Sequence, residues 1–232
     1  MTNHGDTLNN CTLAQCIKCE NRESSPLCSV HGADEEVRRA RSEVKFKAGQ
    51  TIFYEGNAPI GLYVIQTGLV KLQSTSVDGD TNTLRLLNTG QALGYRSLFA
   101  DETYRASAIC VEDTTLCFIP KNILSDIVKN YPQVAINLLQ QLAKDLRTAE
   151  DKWVTQVNKG APERVAEAIL FLDEHFHDQP WTRREIAQWA GTTPETVMRS
   201  LSQFEKDGLI SSEGRAYKIL DRDKLLEKSQ QT

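Results

Sequence analysis

Thr182-Arg183-Arg184-Glu185-Ile186-Ala187-Gln188-Trp189-Ala190-Gly191-Thr192-Thr193-Pro194-Glu195-Thr196-Val197-Met198-Arg199-Ser200-Leu201 is the stretch that decides the fold. Thr182 with Glu185 three residues on makes a capping box, so a short helix is expected over Arg183–Ala190. Gly191-Thr192 supplies a tight turn. Thr193 caps the next helix, Pro194 takes its first position and Glu195 suits its positive end. Two short helices around a glycine turn are the helix-turn-helix pattern. On the second helix Glu195, Met198, Arg199 and Ser202 share one face by three- and four-residue steps, whereas Val197, Leu201 and Phe204 turn to a core. Arg pairs bidentately with guanine and Glu accepts from cytosine N4, so Glu195 and Arg199 are the expected base readers. An ordinary surface ion pair is the plainer alternative for these two.

The surroundings agree with this core. Residues 163–176 form an amphipathic helix through Val165, Ala168, Ile169 and Leu172. Gly208 ends the reading helix, and Leu209-Ile210 with Gly214–Ile219 reads as a two-stranded wing.

Further upstream, Pro132 opens a long helix expected to reach Asn158. Ala135, Leu139, Leu142, Leu146, Ala149, Trp153 and Val157 recur along it mostly at alternating four- and three-residue steps. That narrow stripe is a coiled-coil seam, so a homodimer is expected, with Leu139, Leu142, Leu146, Ala149 and Trp153 at its centre. Lys144, Asp145, Arg147, Glu150 and Asp151 beside it are expected to be exposed. Lys159-Gly160-Ala161-Pro162 breaks the helix.

From Val44 to Ile119 the texture is different: short apolar strands punctuated by Gly49, Gly56, Gly68 and the Asp78-Gly79 turn. Such spacing suggests a jelly-roll-like β-roll. The fold class is therefore α+β, in four parts. Residues 1–34 are a cysteine-rich segment, 35–125 a β-roll sensor, 126–158 a dimerisation helix and 159–232 a winged helix-turn-helix.

Six cysteines complete the pattern. Cys11, Cys16, Cys19 and Cys28 crowd the first 28 residues, and Cys110 and Cys117 follow in the strand region. A Cys-x2-Cys pair with a third thiol at Cys28 brings sulfurs onto one metal centre at small closure cost, and a remote fourth thiol would tie that centre to the roll. The N-terminus is polar with no secretory h-region, so a cytoplasmic location is expected, where cysteine spacings more often mean metal or redox chemistry than disulfides. No apolar run is long enough to span a bilayer. The net charge of −4 argues against bulk polyanion affinity but not against a local basic face. There is no phosphate loop or Ser/His/Asp constellation, and the four histidines are scattered, so an enzyme is not expected.

These residues resemble the CRP/FNR superfamily of transcription regulators over about residues 35–225. The resemblance rests on Thr182–Ala187, Gly191, Glu195–Leu201 and Gly208–Ile210. It implies double-stranded DNA with palindromic GA-core sites, a second copy of the chain and RNA polymerase as partners, with Thr182, Arg183 and Thr193 joining Glu195, Met198, Arg199 and Ser202 at the DNA. Pro194 and Met198 depart from residues that flank the readers in relatives. In cyclic-nucleotide-binding relatives a Gly-Glu pair holds the ribose and an Arg-Ser/Thr pair the phosphate. Here Gly94-Tyr95 and Arg105-Ala106 stand in their place, so no cyclic nucleotide is expected. The cysteines resemble the iron–sulfur, FNR-type branch. Cys16, Cys19, Cys28 and Cys117 match its ligands for a [4Fe–4S] cluster that senses oxygen, redox state or nitric oxide, leaving Cys11 and Cys110 spare. The rival is a constitutive or zinc-stabilised regulator, with Cys11, Cys16, Cys19 and Cys28 around zinc.

Overall fold

The computed structural model describes residues 23–177, 179–213 and 216–230. Two compact units divide the chain. The first holds residues up to Thr75 and Leu84–Leu146, and the second holds Ser76–Thr83 and Arg147 onward. The divide falls within the long helix, and the Lys159–Pro162 break lies inside the second unit.

In the first unit α1 (Ala33–Ala40) precedes eight strands: β1 (Ser42–Phe46), β2 (Thr51–Phe53), β3 (Gly61–Thr67), β4 (Val70–Thr75), β5 (Thr81–Leu87), β6 (Ala92–Leu93), β7 (Ser107–Cys110) and β8 (Thr114–Pro120). A short helix, α2 (Tyr95–Ala100), follows β6, and α3 (Lys121–Asn130) follows β8. The strands make two four-stranded sheets, ordered β1-β8-β3-β6 and β2-β7-β4-β5. Helix α1 was not expected from the sequence. Only Ala33, Asp34 and Val37 of its eight residues are buried, too few to stand out as a periodic stripe.

Two cores result from the two-residue alternation of the strands. Phe53, Tyr63, Ile65, Val70, Leu87, Leu116 and Cys110 fill one. Leu62, Val64, Cys117 and Ile119 point the other way, onto Leu124, Ile127, Val134 and Leu138. The odd–even step along β8 is what separates Leu116 from Cys117.

The long helix α4 (Pro132–Asn158) has two unlike faces. Val134, Leu138 and Asp145 are buried. Leu139, Leu146, Trp153 and Val157 are 64%, 58%, 67% and 63% exposed, an apolar stripe that nothing in the single chain covers among the described residues. Asp145 corrects the sequence reading, which placed it on the exposed side. Its carboxylate accepts both Arg85 guanidinium nitrogens, at 2.5 and 2.6 Å, and the Tyr95 hydroxyl at 2.5 Å. Those partners lie 60 and 50 residues away in sequence, beyond the reach of a periodicity argument.

The second unit continues with α5 (Ala161–Phe176), α6 (Arg183–Ala190), α7 (Pro194–Lys206), the antiparallel pair β9 (Ile210–Glu213) and β10 (Ala216–Ile219), and α8 (Arg222–Gln230). Val165, Ala168, Ile169 and Leu172 are buried as their spacing predicts, as are Val197, Leu201 and Phe204. No described helix is long and apolar enough to cross a membrane.

Candidate functional site

The helix-turn-helix is held by caps on one side and by half-buried donors on the other. The Thr182 hydroxyl accepts the Glu185 N–H at 3.2 Å while the Glu185 carboxylate accepts the Thr182 N–H at 3.0 Å, closing the expected box. Losing such a cap costs about 1 kcal/mol. Gly191 ends α6 with φ +61°, and a Cβ there would press within 2.8 Å of the Gln156 side chain. Two further residues secure this end. Arg164 donates to the carbonyls of Ala190 at 2.9 Å, Gly191 at 3.1 Å and Lys159 at 2.8 Å, and Gln156 donates to Ala190 at 3.0 Å. They satisfy carbonyls that a helix end leaves open. Sequence reasoning missed Arg164, which looks like an ordinary charge on the edge of an amphipathic helix.

The Thr193 hydroxyl accepts the Thr196 N–H at 3.3 Å and so starts α7. Thr193, Glu195, Met198, Arg199 and Ser202 are exposed on α7 and at its cap, and Thr182 is exposed at the start of α6 with Arg183 half-buried beside it. Arg199 donates to Thr196 Oγ1 at 3.3 Å, and among the described residues no ion pair ties it to Glu195. Guanidinium and carboxylate are thus both exposed on the same helix.

In the first unit two places gather polar side chains. One is a cavity of about 640 Å³ lined by Phe53, Leu93, Tyr95, Tyr104, Arg105 and Leu142, among others. Arg105 is 80% exposed and tied to Glu102 at 3.1 Å. Tyr95 is turned to Asp145, and burial together with that carboxylate holds its phenol well above the usual range.

The other site is built around Cys117. This residue pairs across β1 with Glu43 and across β3 with Val64, and its Sγ leaves the sheet on the helix side. Cys28 packs against the same core. The loop that carries Cys28 is fixed by Leu27, fully buried, and by Asn137, which donates to Pro26 O at 3.1 Å and Ser29 Oγ at 3.2 Å. Full burial of a leucine is worth about 1.5–3 kcal/mol, enough to offset the ordering of one or two residues of the loop. Burial pushes the Cys117 thiol up to about 12, with the Arg41 guanidinium and Gln66 pulling the other way. Cys110 lies in the other core, on β7, and burial raises it too. Cys11, Cys16 and Cys19 lie outside the described residues. Among the described ones no group of three metal-binding side chains converges.

Comparison with known proteins follows this division. A cyclic nucleotide-binding domain model matches residues 43–131, and a Crp-like helix-turn-helix domain model matches residues 163–228. The cyclic AMP receptor protein of Thermus thermophilus is 35% identical over 194 residues, 81% of this chain and 89% of that protein. The chain belongs to the CRP/FNR family. It is a DNA-binding transcription regulator. The transcriptional activator protein anr of Pseudomonas aeruginosa is 26% identical over 220 residues, 88% of each chain. Among solved structures, a CRP/FNR-family transcriptional regulator of Thermus thermophilus superposes with a TM-score of 0.70 at 28% identity, covering 82% of this chain and 98% of that one.

Proposed function

We propose that this regulator is of the FNR type: a homodimer that holds a [4Fe–4S] cluster through Cys16, Cys19, Cys28 and Cys117 and reads palindromic GA-core sites. The observation that supports the reading is that Cys28 and Cys117 pack against one core. Zinc on Cys11, Cys16, Cys19 and Cys28 would need no thiol from the roll. Thiolate ligands suit an iron–sulfur centre, and the nearby Arg41 and Gln66 donors suit the negative charge that such ligands carry. Bound there, the cluster supplies a centre sensitive to oxygen, redox state or nitric oxide.

The rest is the work of the chain itself. Asn137 and Leu27 join the Cys28 loop to α4, so an altered loop is felt by the helix whose apolar stripe a second copy would cover. Cyclic nucleotides are excluded by Tyr95, which replaces a carboxylate and is engaged with Asp145, and by Ala106, which offers no hydroxyl. Arg199 takes guanine and Glu195 the paired cytosine, with Thr182, Arg183, Thr193, Met198 and Ser202 around them. RNA polymerase is the expected partner of the DNA-bound dimer in the cytoplasm.

Selection from random DNA under anaerobic conditions tests the reading, with recovery of GA-containing inverted repeats as the expected result. Arg199→Ala should weaken specific binding by about 1–3 kcal/mol and relax the preference at one guanine of each half-site. Equal recovery of unrelated sequences would refute the assignment.

A further inference from the structure

Within the second unit the far end of α4 is tied to the turn of the helix-turn-helix. Arg164, near the start of α5, spreads its guanidinium over three carbonyls: Lys159 at 2.8 Å, Ala190 at 2.9 Å and Gly191 at 3.1 Å. Lys159 follows the last residue of α4 and closes that helix, its N–H bonded to Thr155 O at 3.1 Å. Ala190 and Gly191 are the end of α6 and the turn towards α7. One planar side chain thus joins the end of the long helix to the turn between the two short ones. Gln156 of α4 donates to the same Ala190 carbonyl at 3.0 Å, and Lys152, one turn earlier, lies 3.9 Å from the centre of the Trp189 ring on α6. The α4–α5 corner has its own lock: Lys159 Nζ and Thr155 Oγ1 both donate to the Glu167 carboxylate, at 2.6 and 3.2 Å.

The same stretch of α4 carries Trp153 and Val157, the last members of the exposed apolar stripe. A second copy covering them would fix the end of α4 against its mate, and the ties above fix α6 and α7 against α4. In a helix-turn-helix dimer the separation of the two reading helices must match half-sites about 34–36 Å apart. The Thr182 and Thr193 caps start α6 and α7 whatever α4 does, so what Arg164 adds is an orientation. A guanidinium fork holds acceptors in set directions, which an ammonium on a flexible stem does not.

We propose that Arg164, seconded by Gln156, is a positioning residue that sets the spacing between half-sites, by holding the α6–α7 turn at a fixed offset from the dimer seam. The inference rests on the homodimer reading above. Arg164 makes three of these bonds and Gln156 one, so removal of Arg164 has the larger effect. Base preference inside each half-site belongs to Glu195 and Arg199 and should survive.

The test uses the full chain under anaerobic conditions and GA-core inverted repeats that share one half-site and differ only in spacer length. Sedimentation first establishes the oligomeric state. Wild type should bind its preferred spacing at least about tenfold more tightly than a spacer changed by about two base pairs, because a mis-spaced site must be twisted or bent to fit. Arg164→Met should bring that ratio within about threefold. Arg164→Lys should restore part of it, and Gln156→Leu should lower it by less than Arg164→Met. Gln156→Leu loses a single bond from a half-buried side chain, so it decides the matter if Arg164→Met does not fold. Variants that weaken equally at every spacing, as a merely structural role requires, or that keep the wild-type ratio, would overturn the proposal and leave the dimer reading standing. So would a wild-type dimer indifferent to spacing. A wild-type chain that sediments as a monomer or binds none of the repeats would instead remove the reading above, and this proposal with it.

Discussion

The cavity beside Tyr95 and the surroundings of Cys117 belong to the same β-roll, yet they gather different chemistry. In the cavity the polar side chains already answer one another. Asp145 holds Arg85 and Tyr95, and Glu102 holds Arg105. Around Cys117 the Arg41 and Gln66 side chains both reach a sulfur that one sheet and a helix layer bury. A network closed on itself stabilises a fold, and donors aimed at a latent anion suit a ligand site. That contrast favours the pocket over the cavity as the seat of sensing in the function proposed above.

The largest effect should come from the pocket. Cys28→Ser or Cys117→Ser should abolish the anaerobic absorbance near about 400 nm of a thiolate-ligated cluster, as should Cys16→Ser or Cys19→Ser. Cys11→Ser and Cys110→Ser should leave it largely intact. Full iron in Cys117→Ser with loss in Cys11→Ser would reverse the comparison.

Asp145→Ala comes next, because it breaks the closed network without touching the pocket. Arg85 and Asp145 are only 13% and 8% exposed, so stranding the guanidinium should cost about 3–5 kcal/mol. Denaturant unfolding followed in the first unit measures it. A cost below about 1 kcal/mol would mean that the pair behaves like a surface one.

The smallest expected effect is none. Cyclic AMP, titrated calorimetrically, should show no saturable binding, since the ribose acceptor and the phosphate-binding hydroxyl are both replaced. Micromolar binding would mean that Tyr95 and Asp145 give way to ligand, and the two sites would then share the sensing role.

Much of this was legible in the residues. The capping box, the Gly191 turn and the α7 faces follow from local rules, and the strands and the α4 stripe follow from their periods. Local rules also explain what was missed. Asp145 carries a charge in a helix with many exposed charges, and only Arg85 and Tyr95, far away in sequence, reveal it as buried. Gln66 depends on a register shift and Arg164 on carbonyls across a turn. Pairings of this range have no periodic trace. Cys117 shows the boundary between the two kinds of information: family resemblance singled it out from Cys110, and the structure places Cys117 on β8 and Cys110 on β7, in different cores.

Iron and acid-labile sulfide, determined together on anaerobically purified protein, decide between a cluster and zinc. We expect brown protein with about four iron and four sulfide per chain, lost on exposure to air together with specific DNA binding. Colourless protein carrying zinc, with DNA binding indifferent to air, would contradict the cluster assignment.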